Sequence, residues 1–511
     1  MKKMYLPILL LLAILGLLSI QYMSPTGIGV SPDSVDYLSL ARSLAAGDGY
    51  QVGYRPAHQI EAKAHFPPLF PGLIAGLARM THQDAWPAAG GLNSLLFGVN
   101  IFLVGYLVGR ITNNILLAWV IALLVLCSTD MLMVHAMAWS EPIFLTLMLT
   151  GLYLLARFLE KSTMSSLVAA AVVCGIAMLA RYAAVTLLMT GVFVLFFHRG
   201  PSLKRRIMGV FVFGGIGSLP MLAWLIQNMS SSGSATNRSF AFHPITFGAL
   251  EEGVSTVSKW LIPDFLDTRI RIVLFVILLG LLVFGAWKTR LIAALKTRLD
   301  ETPFARVLFH YGWIYPAFLV VYISFFSVGT YFNFRMMLPL LLCVLILLPL
   351  LFAQARTLPW FRVLLLILLA SYPVRAGIKI VDTHASGGRG YAAKIWQEGA
   401  TMNWVRTREG PEILLSNGWD PIYIITGKIA GRLPRKIIYA HGTPNPKYAE
   451  EWQAMEDALR PAGGYIILFD DLRWRKFMAE EEELKQRLHL EEHAVFDDGI
   501  VYSFPKPVGS E

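Results

Sequence analysis

The chain has 511 residues, 55% of them hydrophobic and only 15% charged, and its mean hydropathy of +0.55 excludes an ordinary soluble protein. The three cysteines, Cys127, Cys174 and Cys343, all lie inside apolar runs, where they act as small hydrophobes, which excludes a disulfide framework. The formal charge of +10 does not point to nucleic acid, because most Lys and Arg fall in alternate loops between apolar segments and mark one side of a membrane.

The first apolar run, Met4 to about Ile20, follows Lys2 and Lys3, yet no small-residue cleavage site comes after it, so it reads as a retained helix. A helix needs about 20 apolar residues to cross a bilayer. On that ruler about eleven spans follow, near residues 4–22, 88–109, 114–133, 140–157, 164–180, 183–198, 207–227, 270–287, 308–328, 336–354 and 359–373. Arg110, Arg157, Lys161, Lys204, Arg205, Arg206, Lys288, Lys296, Arg298 and Arg306 all fall in one set of loops, predicted cytoplasmic. The other set faces outward: the long loop 23–87, the turns near 134–140 and 181–182, the loop 228–269, the turn 329–335 and the tail after about 374.

Within the first outer loop, "SPDSVDYLSLARSL" (31–44) predicts an amphipathic helix capped by Ser31 or Ser34, with Val35, Leu38, Leu40 and Leu44 on its apolar side. Asp33 and Asp36, spaced i,i+3, can project from one face, although two acids near a helix N-terminus also simply suit the dipole. Arg42, Arg55, Glu61, Lys63 and His65 follow, and the last two are placed to hold an anion. "HFPPLFPG" (65–72) is a proline-stiffened collar before a second short amphipathic helix over 70–80. At "WSEP" (139–142), Pro142 fits a first helical turn and Glu141 suits the dipole. Arg181 in "MLARYAAV" joins two very apolar helices and either pairs with an anion, such as Glu141 or a lipid head group, or snorkels to water. Arg335 in "NFRMMLP", beside Asn333, invites the same two readings. The helix interiors are nearly free of ionisable groups, and the unusual ones, His135 included, collect at one boundary.

The tail changes character. "EILLSN", "KIIYA" and "GYIILFD" are strand-like, 446–460 and 473–488 are helix-like, and "HAVFDDGIVYSF" predicts a hairpin around Asp498 and Gly499. The fold class is therefore a polytopic α-helical membrane domain, 1–375, followed by an outward-facing α/β domain, 376–511.

"PDSVDYLSLARSL", "FPPLFPGLIA", "WSEPIF", "ARYAAV" and "NFRMMLPLLL" together resemble bacterial GT-C glycosyltransferases. They are most similar to the dolichyl-phosphate-mannose-protein mannosyltransferase-like group, which includes the lipid A aminoarabinose transferases. The resemblance implies transfer of one sugar from a polyprenyl (undecaprenyl or dolichyl) monophosphate to a hydroxyl of a lipid, glycan or protein on the outer face of the cytoplasmic membrane, with inversion. It implies that Asp33 is the base and that Arg181 and Arg335 contact donor phosphate or sugar; the reading of the residues themselves adds Asp36, Glu141 and Arg55 in support and Lys63, His65, Tyr182 and Asn333 around the donor. Many relatives carry two adjacent acids in the first loop. Here Ser34 follows Asp33, which leaves any metal role of Asp33 and Asp36 open, Mg2+ or Mn2+ being the ions concerned.

The chemistry agrees with this resemblance. A lipid phosphate is already a stabilised leaving group, so one base and a few cations suffice, and the chain has neither a Walker A motif nor a dinucleotide fingerprint. The alternative, a lipid-linked saccharide transporter or flippase, calls for charge deep within the spans.

Overall fold

The computed structural model describes residues 4–54, 66–198, 200–236, 240, 242–288, 291–326, 331–352, 359–410, 412–438 and 442–504. Its first helix is α1 (Tyr5–Tyr22). The two amphipathic helices of the first loop follow as α2 (Pro32–Ala46) and α3 (Leu69–Thr81). The bundle continues with α4 (Ala85–Thr112), α5 (Ile115–Leu126), α6 (Thr129–His135), α7 (Glu141–Lys161), α8 (Met164–Met178), α9 (Val185–Phe197) and α10 (Leu203–Ser232). It ends with α11 (Phe247–Ser258), α12 (Thr268–Lys288), α13 (Leu291–Glu301), α14 (Pro303–Phe326), α15 (Phe334–Phe352) and α16 (Pro359–Ala385).

Each of the predicted apolar segments coincides with helix in this series, while α11 and α13 lie in stretches too polar to have been predicted from hydropathy. Among the described residues, α1, α4, α7, α10 and α14 are long and apolar enough to cross a membrane. The segment expected as one span over 114–133 is instead broken into α5 and α6, bent by 57°. The break follows from Ser128, whose hydroxyl accepts a hydrogen bond from the Met131 amide and starts a new helix. Close packing of α1 on α4 depends on Gly98, where any Cβ would press on the Ala13 carbonyl.

After α16 come α17 (Lys394–Gln397), α18 (Ala400–Thr407), β1 (Ile413–Ser416), α19 (Trp419–Thr426), β2 (Gly431–Arg432), β3 (Ile437–Ile438) and β4 (Thr443–Pro444). Then follow α20 (Tyr448–Ala462), β5 (Gly464–Phe469), α21 (Glu481–Leu488), β6 (Glu491–Phe496) and β7 (Gly499–Phe504). The five-stranded sheet has the order β2-β1-β5-β7-β6; β1 runs parallel to β2 and β5, and β7 runs antiparallel to β5 and β6. Within the described part of "KIIYA", Ile437–Ile438 pair with Thr443–Pro444 outside that sheet.

The helix expected over 473–488 forms only over its last part, α21. Its first part is held open by Arg475, which is buried and turned inward, donating from Nη1 to Asp420 Oδ1 at 2.7 Å and from Nη2 to Asp420 Oδ2 and the Tyr391 hydroxyl at 2.8 Å each. A fully satisfied buried fork of this kind outweighs local helix propensity.

Among the described residues, several contacts seat the α/β domain on the connection between α1 and α4. Val30 pairs with Gly390 in a parallel bridge, Tyr54 stacks on Tyr423 at 5.0 Å, and the Arg42 guanidinium lies 5.2 Å from the Tyr423 ring. Arg42 also grips Asp84 through two hydrogen bonds of 2.9 and 2.8 Å, tying α2 to the start of α4, where Asp84 caps the Trp86 amide.

Removing one partner of the buried Arg475–Asp420 pair strands a charge, so Asp420→Ala should destabilise the α/β domain by about 3–5 kcal/mol, read as a lowered unfolding midpoint for the purified protein. Burial opposes the Asp84 carboxylate, but the Arg42 hydrogen bonds prevail and hold its pKa below the ordinary carboxylate range. The stability that Asp84 contributes is present above the unfolded-state carboxylate pKa and is lost as pH falls through the lower folded value. Asp84→Asn should therefore flatten the acid limb of a melting-temperature profile, and a steeper limb would contradict this.

Candidate active site

The sequence delivers four charged groups from four separate places in the chain to one point. Asp33 sits in the first turn of α2, Glu141 is the first residue of α7, Arg181 lies between α8 and α9, and Arg335 opens α15. Glu141 is the hub. Its Oε1 lies 2.7 Å from Arg181 Nη1 and 2.8 Å from Arg335 Nε, and its side chain is 3% exposed. Arg335 Nη1 reaches on to Asp33 Oδ2 at 3.1 Å, and Asp33 is 46% exposed. One carboxylate is thus buried under two guanidinium groups, while the other stands open beyond them.

Backbone pairing fixes this geometry. Gly29 pairs with Met137, the Gly29 amide donating to the Ala136 carbonyl and the Ala138 amide to the Gly29 carbonyl, at 2.9 and 2.8 Å. The loop before α7 is therefore stitched to the loop before α2. Asn93 of α4 holds the same loop from behind, its Nδ2 donating to the Met137 and Trp139 carbonyls. Trp139 Nε1 donates to Ser31 Oγ at 2.8 Å, and the Trp139 ring lies 3.7 Å from the Arg335 guanidinium carbon, so that the cation is stacked as well as paired. Tyr37, one turn after Asp33, shares a 3.1 Å hydrogen bond with Ser140. Burial, its largest influence, pushes the Tyr37 phenol above its ordinary value and keeps it neutral.

Asp33, Arg181 and Arg335 line a cavity of about 640 Å3. The lining also includes apolar and aromatic residues, among them Met221 and Leu225 of α10, Phe318, Leu319 and Tyr322 of α14, and Met336 of α15. Such a cavity can hold an anionic head group together with a hydrocarbon or sugar surface.

The other expected residues fall in different places. Tyr182 and Asn333 line the cavity; the Tyr182 hydroxyl accepts from Trp224 Nε1 at 3.3 Å, and Asn333 Oδ1 caps the Met336 amide at 3.2 Å. Asp36 does not join the cluster. It lies about 60° around the helix from Asp33, and its carboxylate accepts a 2.6 Å hydrogen bond from the Tyr54 hydroxyl. The two acids therefore face different partners. Among the described residues no three His, Cys, Asp or Glu side chains stand close enough to hold a metal ion, and Asp33 is already paired with a cation. His135 points into the core, bound to Asn100 and the Met131 carbonyl. Arg55, Lys63 and His65, like Glu61, lie outside the described residues. Sequence reasoning missed Tyr37, Ser140 and Trp139; the i,i+4 spacing of Asp33 and Tyr37 was the signal for the first.

The fold is shared with solved glycosyltransferase structures, and part of the chain matches a mannosyltransferase family model. Residues 65–226 match the family model described as dolichyl-phosphate-mannose-protein mannosyltransferase. No curated protein matches the chain. Among solved structures, ArnT from Cupriavidus metallidurans bound to undecaprenyl phosphate is similar over 98% of both chains, at 13% identity and a TM-score of 0.62. The Archaeoglobus fulgidus oligosaccharyltransferase in its apo form is similar over 92% of this chain and 70% of its own, at 14% identity and a TM-score of 0.55. The arabinofuranosyltransferase AftD from Mycobacteria is similar over 97% of this chain and 40% of its own, at 15% identity and a TM-score of 0.56.

Glu141 and Asp33 should respond differently to neutralisation. Glu141→Ala leaves two mostly buried guanidinium groups without their shared partner and should cost about 3–5 kcal/mol. Asp33→Asn, at a half-exposed position, should stay within about 1 kcal/mol of the parent. Scanning fluorimetry in detergent reads both, and equal losses would refute the division of roles.

Proposed function

We propose that the protein is a membrane glycosyltransferase that moves one sugar from a polyprenyl-phosphate donor to a hydroxyl acceptor, with inversion at the anomeric carbon. In this reading the eleven apolar segments cross the cytoplasmic membrane, and the cavity and the α/β domain face outward. The observation that carries the proposal is a half-exposed carboxylate and two guanidinium groups lining a cavity that apolar and aromatic side chains also line. The undecaprenyl phosphate bound to ArnT, a protein of similar fold, supports the choice of donor.

Each part of the site then has a task. Asp33 takes the proton of the acceptor hydroxyl as its oxygen attacks the anomeric carbon, and the bond from that carbon to the phosphate oxygen breaks. The electron pair departs with the lipid phosphate, whose growing charge is met by Arg335 and Arg181. Glu141 touches no reacting atom; it is a positioning residue that fixes both guanidinium groups at one point. Arg335 commits Nε to Glu141 and Nη1 to Asp33, so a phosphate that competes for Nη1 also releases Asp33 to act as base. Donor binding and base activation are then a single event.

In detergent with a polyprenyl-phosphate sugar, Asp33→Asn should lower turnover by about 10²–10⁴-fold while donor binding changes little. Arg335→Gln should weaken donor binding as well as turnover. A transporter would form no glycosylated product in detergent, and parent-level transfer by Asp33→Asn would remove Asp33 as the base.

A further inference from the structure

A second group of cations lies at the end of α16, and none of its members lines the cavity. Arg375 and Lys379 sit on one flank of α16, Arg389 follows that helix in the segment bridged to Val30, and Lys259 follows α11. Arg375 is 6% exposed. Its Nη1 donates to the Lys259 carbonyl at 2.6 Å and its guanidinium covers the Tyr372 ring at 4.7 Å, but its buried Nε has no hydrogen-bond partner. Arg389 has the same deficit: among the described residues its buried Nε has no hydrogen-bond partner, and its Nη1 donates to the Met133 sulfur. Burial pushes the Arg389 guanidinium down to about 10, with no carboxylate acting against it.

The nearby acids do not close the account. Asp264 and Asp382 act on Lys379, which Arg389 repels. Asp130 accepts from Trp260 Nε1 at 3.1 Å and faces Lys259, Arg375 and Asp264. Among the described residues none of these acids forms an ion pair with Arg375 or Arg389, leaving four cations against three carboxylates. A guanidinium buried without an anion is costly, and so is an unmet buried donor. Beside this flank, Val374, Ile378 and Val381 form an exposed apolar stripe on α16, 62%, 55% and 58% exposed. Cations adjoining an apolar helix face at a membrane boundary are the groups that recognise an anionic lipid.

We propose that this flank is a lipid site separate from the cavity: Arg389 and Lys379 hold the phosphate of a negatively charged lipid whose chains lie along Val374, Ile378 and Val381. The proposal rests on the chain being a membrane protein and is independent of glycosyl transfer. Through the Val30–Gly390 bridge the bound phosphate abuts the strand that leads into α2.

The test uses the full chain in phosphatidylcholine nanodiscs doped with phosphatidylglycerol or undecaprenyl phosphate, with co-purified lipid counted by mass spectrometry. The parent should retain anionic lipid, and the double variant Lys379→Gln, Arg389→Gln should retain about tenfold less, with unchanged phosphatidylcholine and an unchanged melting temperature. A loss seen with phosphatidylglycerol identifies a bulk phospholipid, and a loss confined to undecaprenyl phosphate identifies the polyprenyl lipid; either supports the site. Arg335→Gln, which alters the cavity, should leave phosphatidylglycerol retention intact. If the double variant does not fold, Lys379→Gln alone should lower retention about threefold. Retention equal to the parent in the variants overturns the proposal, as does saturable binding of inorganic phosphate at these residues without lipid retention.

Discussion

The fork of Arg335 is the interaction on which the site depends. Its Nε binds the buried Glu141 and its Nη1 binds the half-exposed Asp33, so one rigid, planar cation spans α7, α15 and α2. In an apolar layer a lone Glu141 would be untenable, and so would a lone Arg181 or Arg335. Each is tolerable only because the others are present, and the bundle must therefore bring three distant stretches of chain together before any of them is stable. The same requirement leaves Asp33 exposed, because the two guanidinium groups are shared with an acid that burial makes the stronger claimant.

The α/β domain is tied to this arrangement rather than merely attached beside it. Gly390 takes a positive φ of 54°, a conformation that favours glycine, and any side chain there would collide with the Val30 carbonyl. The next residue, Tyr391, donates to Asp420 Oδ2 at 2.7 Å and so enters the buried network around Arg475. A continuous series of contacts runs from the core of the outer domain through Tyr391, Gly390 and Val30 to the helix that carries Asp33. Tyr54 makes a second such connection, with its hydroxyl on Asp36 and its ring on Tyr423. Asp36 thus takes part, through Tyr54, in the contact with the domain.

What could be read from the sequence divides along physical lines. Apolar runs of bilayer length reveal helices because hydropathy is a sum over many residues, and the collar before α3 and the hairpin at Asp498 were visible because Pro, Asp and Gly act locally. Asp33, Glu141, Arg181 and Arg335 stood out because charge beside long apolar runs is expensive. Glu141 was already a candidate partner for Arg181, and the structure has that pair; that Arg335 takes both Glu141 and Asp33 was not visible, since which acids an arginine takes depends on depth and angle, not on spacing. The break between α5 and α6 was hidden by uniform hydropathy, and the missing first half of the helix over 473–488 was hidden because its cause, Asp420, lies more than fifty residues away. Trp139 was passed over because an aromatic residue at a span boundary is commonplace, and only the structure sets its ring against Arg335.

The cavity's mixed lining, charged in part and apolar in part, limits what it can accept. A soluble nucleotide sugar would leave the Met221, Leu225, Phe318 and Leu319 side chains in contact with water or with a polar base, losing on the order of 25 cal/mol for each Å2 of apolar surface left uncovered. A neutral lipid would cover those side chains but leave Arg181 and Arg335 facing hydrocarbon. On the proposed reading, a molecule that is apolar along most of its length and anionic at one point meets both kinds of lining. On the same reading, the exposed Asp33 carboxylate, held by a cation the same anion can capture, takes the proton of the incoming hydroxyl.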